Sequence, residues 1–270
     1  MNSSRMALVT IALAAATATL SLPVFSQSRV ARQGRLVLVE LYTSQGCDMC
    51  PTAEKILGEL GDSNRSVAPL ALHVDYFDKP WKDPFSDRLH SERQMSYHKI
   101  YKGPKDPDLG LYYTPMIMVD GLRTVNGRDF AGLKAAVASA RQKPPGFNLQ
   151  PRLSANTEPG KARLTVAVTP LSDKFKGRDY LVCAVLRDDQ VSTEVKSGEN
   201  AGKTLKNRFP ARKLLFETVK FDSKSTKEVP FEFNLDRASD LSKLVIVVFV
   251  QDVASGEVHQ SAVIPVATKP

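Results

Sequence analysis

The spacing of apolar and polar positions divides the chain into two textures. Leu36-Val37-Leu38-Val39-Glu40-Leu41-Tyr42 is an apolar, β-branched run that reads as a strand. A short turn over residues 43–46 leads to residues 52–60, where Ala53, Ile56, Leu57 and Leu60 share one helical face and Gly61 is expected to end the helix. A second strand lies within residues 67–76 and runs into a polar loop, 77–84. Residues 86–101 have helical character, with Leu89, Met95, Tyr97 and Ile100 available for packing. The Gly-, Pro- and Asp-rich loop 102–109 precedes an apolar strand headed by Pro115 and closed by an Asp120-Gly121 turn. Residues 129–141 then predict a third helix, with Phe130, Leu133, Val137 and Ala140 facing inward.

Beyond Pro144-Pro145-Gly146 the helical spacing disappears. Short strand-like runs follow at 162–169, 180–186, 213–221, 229–235, 244–251 and 258–266, separated by polar turns, and this rhythm predicts an antiparallel β-sandwich. Together with the length of 270 residues, it divides the chain into a first domain over 27–143, a linker over 144–150 and an all-β, sandwich-like domain over 151–270.

Residues 1–26 belong to neither texture. Arg5 precedes an alanine-rich apolar run from 6 to 22, and Ser26 supplies a small residue at the expected cleavage point, so this stretch is read as a signal peptide. The expected localisation is periplasmic or secreted. No cysteine follows the run closely and no later stretch suits a membrane span, so no membrane anchor is expected. The formal net charge of +8 is spread as single Lys and Arg residues among acids, which reads as a solvated surface and not as a nucleic-acid site.

The strongest chemical signal is Cys47-Asp48-Met49-Cys50-Pro51, delivered by the first strand to the start of the first helix. A cysteine at a helix N-terminus sits among unpaired N–H groups that favour its thiolate, and a second cysteine one turn on can close a short disulfide against it. Cys47 is therefore the candidate nucleophile and Cys50 the resolving thiol. Pro51 suits the first helical turn. Asp48 is expected to disfavour the neighbouring thiolate. A structural disulfide is the competing reading of the same spacing. A four-thiolate zinc site is not supported, because the only other cysteine, Cys183, stands alone in an apolar run and reads as a small buried strand residue. His73, His90 and His98 could join the two cysteines in a soft metal site, but no tight ligand motif demands one, and neither a metal nor another cofactor is expected. Trp81, Tyr112 and Tyr113 are candidates for the rim of a peptide groove. Ser197-Gly198-Glu199-Asn200-Ala201-Gly202 is expected to be a tight connection whose Asn turns the backbone, in preference to a ligand site.

The order of elements resembles a thioredoxin-like fold, and in that superfamily a cis-proline faces the CxxC pair, a position matched by Thr114-Pro115. Several blocks narrow the resemblance: Glu40-Leu41-Tyr42-Thr43-Ser44-Gln45-Gly46-Cys47 with Cys50-Pro51, His73-Val74-Asp75-Tyr76, Trp81-Lys82-Asp83-Pro84-Phe85 and Tyr113-Thr114-Pro115. In these the chain is similar to the DUF1223 family of secreted thioredoxin-like proteins, a family name that carries no established reaction. The resemblance implies an α/β thioredoxin-like domain followed by the β-sandwich-like domain. It also implies a site of Cys47, Cys50, Thr114 and Pro115, with a cis Thr114–Pro115 bond beside Cys47. The functional expectation is an exported thiol-disulfide oxidoreductase or redox-active binding protein, whose partners are thiol- or disulfide-bearing proteins. The alternative is a non-enzymatic metal- or partner-binding protein held by a structural disulfide. Composition and spacing set no oligomeric state.

Overall fold

Along β1 (Val37–Thr43) alternate side chains enter two different cores, and this division organises the molecule. The computed structural model describes residues 35–101, 111–154, 160–236 and 239–267; the expected signal peptide and the loop 102–109 lie outside the described residues. Val37, Val39 and Leu41 face α1 (Cys50–Ser63) and α3 (Phe130–Arg141), whose Ala53, Leu57, Leu60, Leu133, Ala136 and Val137 cover that side. Leu38 and Tyr42 face the other way.

Four strands form the first sheet, in the order β2 (Val67–His73), β1, β3 (Met116–Val119) and β4 (Arg123–Asn126). β1 and β2 are parallel, while β3 runs antiparallel to β1. Pro69 sits in the edge strand β2, where the ladder hydrogen bond it cannot donate is not required. The edge is not left open: Ala71 N–H donates to Phe209 O at 2.9 Å, and Ala71 pairs with Pro210.

The remaining strands are β5 (Phe147–Leu153), β6 (Lys161–Pro170), β7 (Asp179–Asp188), β8 (Gln190–Glu194), β9 (Thr204–Arg208), β10 (Ala211–Lys220), β11 (Lys227–Asn234), β12 (Leu244–Asp252) and β13 (Val258–Pro265). They form a four-stranded sheet, β10-β7-β12-β13, a three-stranded sheet, β11-β6-β5, and a β8-β9 hairpin. The central strands of the four-stranded sheet, β7 and β12, are buried on both faces. Tyr180, Val182, Ala184, Ile246, Val248 and Val250 pack against the three-stranded sheet, whereas Cys183, Val185, Val247 and Phe249 pack against Leu38, Tyr42, Leu70, Leu72 and Met116 of the first sheet. The run Leu244-Val245-Ile246-Val247-Val248-Phe249-Val250 is apolar throughout because both of its faces meet a core.

This stacking corrects the expected fold class. The described residues are 44% strand against 22% helix and contain thirteen strands and three α-helices. An α/β thioredoxin-like domain followed by a separate sandwich needs helices to cover the first sheet and the β strands to close on themselves. Here one face of the first sheet is covered by the middle β-sheet, so helices, sheet, sheet and sheet lie in four successive layers. β5 begins at Phe147, within the stretch read as a linker.

Two local expectations also change. α1 runs through Gly61 to Ser63, and Gly61 serves close approach instead: a Cβ there would lie 2.5 Å from the Phe209 ring. α2 (Arg88–Ile100) buries His90, Ser91, Gln94 and Tyr97, while Leu89, Met95 and Ile100 are only partly covered. Its inward face is polar because each buried group has a hydrogen-bonding partner: His90 at His73 O, Ser91 at Asp75, Gln94 at Tyr113 O and Tyr97 at Glu40.

Candidate thiol site

β1 ends at Thr43 and the chain turns tightly, with Cys47 N–H donating to Ser44 O at 3.3 Å and Gly46 N–H to Ser44 Oγ at 3.0 Å. Cys50 is the first residue of α1, and no side chain caps the helix at Met49. The N–H groups of Met49 and Cys50 face the Cys47 sulfur, that of Cys50 also donating to Cys47 O at 3.3 Å. All three cysteines are free thiols.

The two site thiols have opposite acidities. Cys47 is lowered to about 7: the hydrogen bond from the Cys50 thiol does most, burial works against it, and the Thr114 hydroxyl and the Met49 and Cys50 N–H groups add to the lowering. Cys50 is pushed far up by burial and by the neighbouring Cys47 charge, so it holds its proton and shares it with Cys47. The expected suppression by Asp48 does not prevail; Asp48 is exposed and its N–H points to Glu199.

Thr114–Pro115 is cis, and Thr114 lies against Cys47, so Cys47, Cys50 and the Thr114-Pro115 pair are brought together. Gly127 is wedged between Pro115 and α1, since a Cβ on it would lie 2.7 Å from Pro115 Cβ and 3.0 Å from Ala53 Cβ. Burial and then the neighbouring Tyr112, with smaller contributions from the two thiols, raise the Tyr76 hydroxyl well above the ordinary range. Its ring packs on Tyr112 at 4.6 Å between centroids. Trp81 lines a separate cavity of about 170 Å³ with Gly46, Phe77, Lys79 and Glu199. Tyr113 turns into the core between the sheets. Trp81 and Tyr112 are thus linked through Phe77 and Tyr76, whose ring centroids are 5.5 Å apart, while Tyr113 packs against the core.

Cys183 is 1% exposed on β7, in the core shared by the two sheets, and burial pushes its thiol up to about 12. His90 is pushed down to about 4 by burial and bonds to the His73 carbonyl. Leu111 N–H donates to His98 Nδ1, and His259 packs among Phe147, Phe175 and Tyr180. These two histidines do not join the thiols.

Several site residues are not evident from the motif. The loop 195–203, between β8 and β9, folds over the CxxC turn. Asn200, fully buried, donates through Nδ2 to Gln45 O at 2.9 Å and to Cys47 O at 2.8 Å. Glu199 accepts from Asp48 N–H at 2.8 Å, and its own N–H donates to Gly46 O at 3.3 Å. Gly198 has a φ of +88°, and a Cβ there would lie 3.3 Å from Gly46 Cα, so only glycine allows the loop this close. Asn200 thus clamps the cysteine turn, in addition to bending its own loop.

Beneath Cys50 lies a buried polar group. Thr43 Oγ1 interacts with the Cys50 thiol and donates to Glu54 Oε1 at 3.0 Å. Asn207 of β9 donates to Glu54 Oε2 at 3.0 Å and accepts from Gln45 Nε2 at 3.3 Å. Burial raises the Glu54 carboxyl, while His73, Asn207 and Thr43 pull it back. The sequence carries one trace of this group: Glu54 is one helical turn after Cys50, an acid beside the apolar stripe of Ala53, Leu57 and Leu60.

Two solved structures share the architecture. One is protein AGR_C_4864 from Agrobacterium tumefaciens, with 17% identity over 88% of this chain and 98% of that one and a TM-score of 0.62. The other is HBP35 of Porphyromonas gingivalis, with 14% identity over 87% of this chain and 78% of that one and a TM-score of 0.59. At these identities the likeness is one of fold alone. No curated protein matches the chain. Residues 38–251 match the DUF1223 family, described as a protein of unknown function, and the span covers strand, cysteine turn, clamp loop and the middle sheet apart from its edge strand β13: the chain belongs to the DUF1223 family.

Proposed function

We propose that the protein exchanges thiols and disulfides through Cys47 and Cys50, acting on disulfide- or thiol-bearing proteins outside the cytoplasm. The observation that carries this reading is the division of one proton between the two sulfurs: Cys47 is lowered to about 7, while Cys50 keeps its proton. A thiolate formed near neutral pH is what nucleophilic attack on a disulfide requires; Cys47 is 2% exposed, so the turn that holds it must open to admit a substrate sulfur.

In the reducing direction the Cys47 thiolate attacks one sulfur of the substrate disulfide. A Cys47–substrate disulfide forms, the substrate S–S bond breaks, and the first substrate sulfur leaves as a thiolate. Cys50 then loses its proton through the Thr43 hydroxyl to Glu54 and attacks the Cys47 sulfur. The Cys47–Cys50 bond forms and the second substrate sulfur leaves as a thiolate that takes up a proton. Two electrons pass from the protein dithiol to the substrate disulfide, and two thiols of the compartment, or one dithiol, must restore the protein dithiol and are themselves joined as a disulfide. Thr114 and Pro115 form the wall beside Cys47 along which the substrate chain lies. The export reading rests on Arg5 and the apolar run of residues 6–22.

The test is trapping. Cys50→Ser should accumulate mixed disulfides through Cys47, and Cys47→Ser should not. Equal trapping by both variants removes the assignment.

A further inference from the structure

Glu54 is 3% exposed, His73 0% and Asp83 1%. These three ionisable side chains form a line behind the thiols. His73 Nδ1 lies 2.7 Å from Asp83 Oδ2, and His73 Nε2 lies 3.8 Å from Glu54 Oε1. Nε2 is buried and has no hydrogen-bond partner. An unpartnered buried polar nitrogen destabilises a fold, so its retention beside a reactive pair calls for a reason.

We propose that His73, anchored by Asp83, is a positioning residue of the thiol exchange that holds Glu54 in its carboxylate form, ready to receive the Cys50 proton. The inference rests on the thiol-exchange reading and deepens it. Burial alone drives a carboxyl to hold its own proton, and a protonated Glu54 has no capacity to accept another. A cation 3.8 Å away opposes that preference, although burial still leaves the Glu54 carboxyl raised above its ordinary value. Asp83 makes the cation possible, because it is fixed as a carboxylate by the N–H groups of Gln45 at 2.8 Å and Phe85 at 2.9 Å. Burial of the ring opposes the charged form of His73, but Asp83 and then Glu54 outweigh it and leave His73 raised. Asp83 is lowered: its burial is outweighed by the His73 charge and by its hydrogen bonds.

The other groups facing His73 do not compete. Asp78, on the same loop as Asp83, adds to its positive charge. His90, packed from α2, is neutral at pH 7 and uses Nδ1 on the His73 carbonyl, to which Asp87 N–H also donates at 3.3 Å. Phe85 lies 5.3 Å from the ring, and Thr43 is neutral.

The experiment isolates the resolving step. Reduced protein is treated with one equivalent of dithiobis(nitrobenzoate), whose S–S bond the Cys47 thiolate breaks to form the Cys47–thionitrobenzoate disulfide and one free thionitrobenzoate, and release of the second coloured thiolate by Cys50 is followed against pH. In the wild type the Cys50 proton passes to Glu54, Cys50 bonds to Cys47 and thionitrobenzoate leaves as its thiolate. His73→Gln should move the half-point of the pH profile upward by about one unit, which is about tenfold slower release at pH 7. Asp83→Asn keeps the shape of the site and should shift the profile the same way, and it decides the matter if His73→Gln does not fold. Adding His73→Gln to Glu54→Gln should cause no further shift. Unchanged profiles in folded His73→Gln or Asp83→Asn overturn the inference while leaving thiol exchange intact. A wild-type adduct that Cys50 never resolves overturns both.

Discussion

Two buried ionic groups lie on opposite faces of β1, and they differ in completeness. On the face toward the middle sheet, Glu40 receives Arg93 Nε at 2.5 Å, Arg93 Nη2 at 3.2 Å and the Tyr97 hydroxyl at 2.7 Å. Gln251 of β12 closes the group, accepting from Arg93 Nη1 at 2.8 Å and donating to the Tyr97 oxygen at 2.9 Å. The guanidinium lies between the rings of Tyr97 and Phe249, at 5.2 and 4.8 Å from their centroids. On the face toward the helices, Glu54 and His73 are equally buried, yet His73 Nε2 is left without a partner. A closed network fixes how helix and sheets dock; an open one beside thiols keeps a proton site whose occupancy can change.

The largest effect should come from breaking the closed group. Glu40→Ala strands the Arg93 charge in the core and should cost about 3–5 kcal/mol in denaturant unfolding. Glu54→Gln, by contrast, should shift stability at pH 7 by less than about 1 kcal/mol, since burial already disfavours the charge it removes. Similar losses for the two variants would erase the distinction between a lock and a poised group.

Asn200→Ala should be intermediate. It removes two hydrogen bonds from otherwise covered carbonyls, at a cost of about 1–3 kcal/mol, and loosens the cysteine turn. Faster alkylation of Cys47 by iodoacetamide in this variant is the expected readout; an unchanged rate means that the loop 195–203 does not restrain the turn.

The thiols themselves sharpen the comparison without mutation. Alkylation of Cys47 in the wild type should rise through a half-point near its value of about 7, while Cys183, held at about 12, stays unmodified at neutral pH. A Cys47 half-point near that of an ordinary thiol would remove the asymmetry on which the exchange reading stands.

The smallest effect is in stability against pH. Asp83 is lowered, so its contribution is present above its unfolded value and is lost as pH falls through the folded one. His73 is raised, so its contribution is complete below its unfolded value and is lost as pH rises through the folded one. The pair therefore contributes fully between about 3.9 and about 6.5, the ordinary values of the two side chains. Asp83→Asn should lose more stability at pH 5.5 than at pH 9; a uniform loss would show that charge is not what the pair contributes.

The sequence by itself determined what depends on neighbours along the chain. Val37–Thr43 had to be extended, residues 52–60 had to lie in a helix, and Cys47 and Cys50 had to meet at its start, because apolar periodicity, Pro51 and the two-residue spacing act over a single turn. The six strand-like runs beyond residue 160 likewise became β6, β7 and β10–β13. Two features escaped this local reading: β8 and β9 are mostly polar on their exposed side, and β5 follows directly on a Pro-Pro-Gly sequence that signals a turn. Only the tertiary structure decided which layer covers each face of the first sheet. An apolar face reads the same whether a helix or a sheet lies on it, and that ambiguity misled the expected fold class. The same holds for the site. Asn200 lies 150 residues or more from the carbonyls it clamps, and His73 gains its role from Asp83 and Glu54 through burial. Hydrogen bonding and desolvation are set by which groups share one interior, a relation that no local spacing encodes.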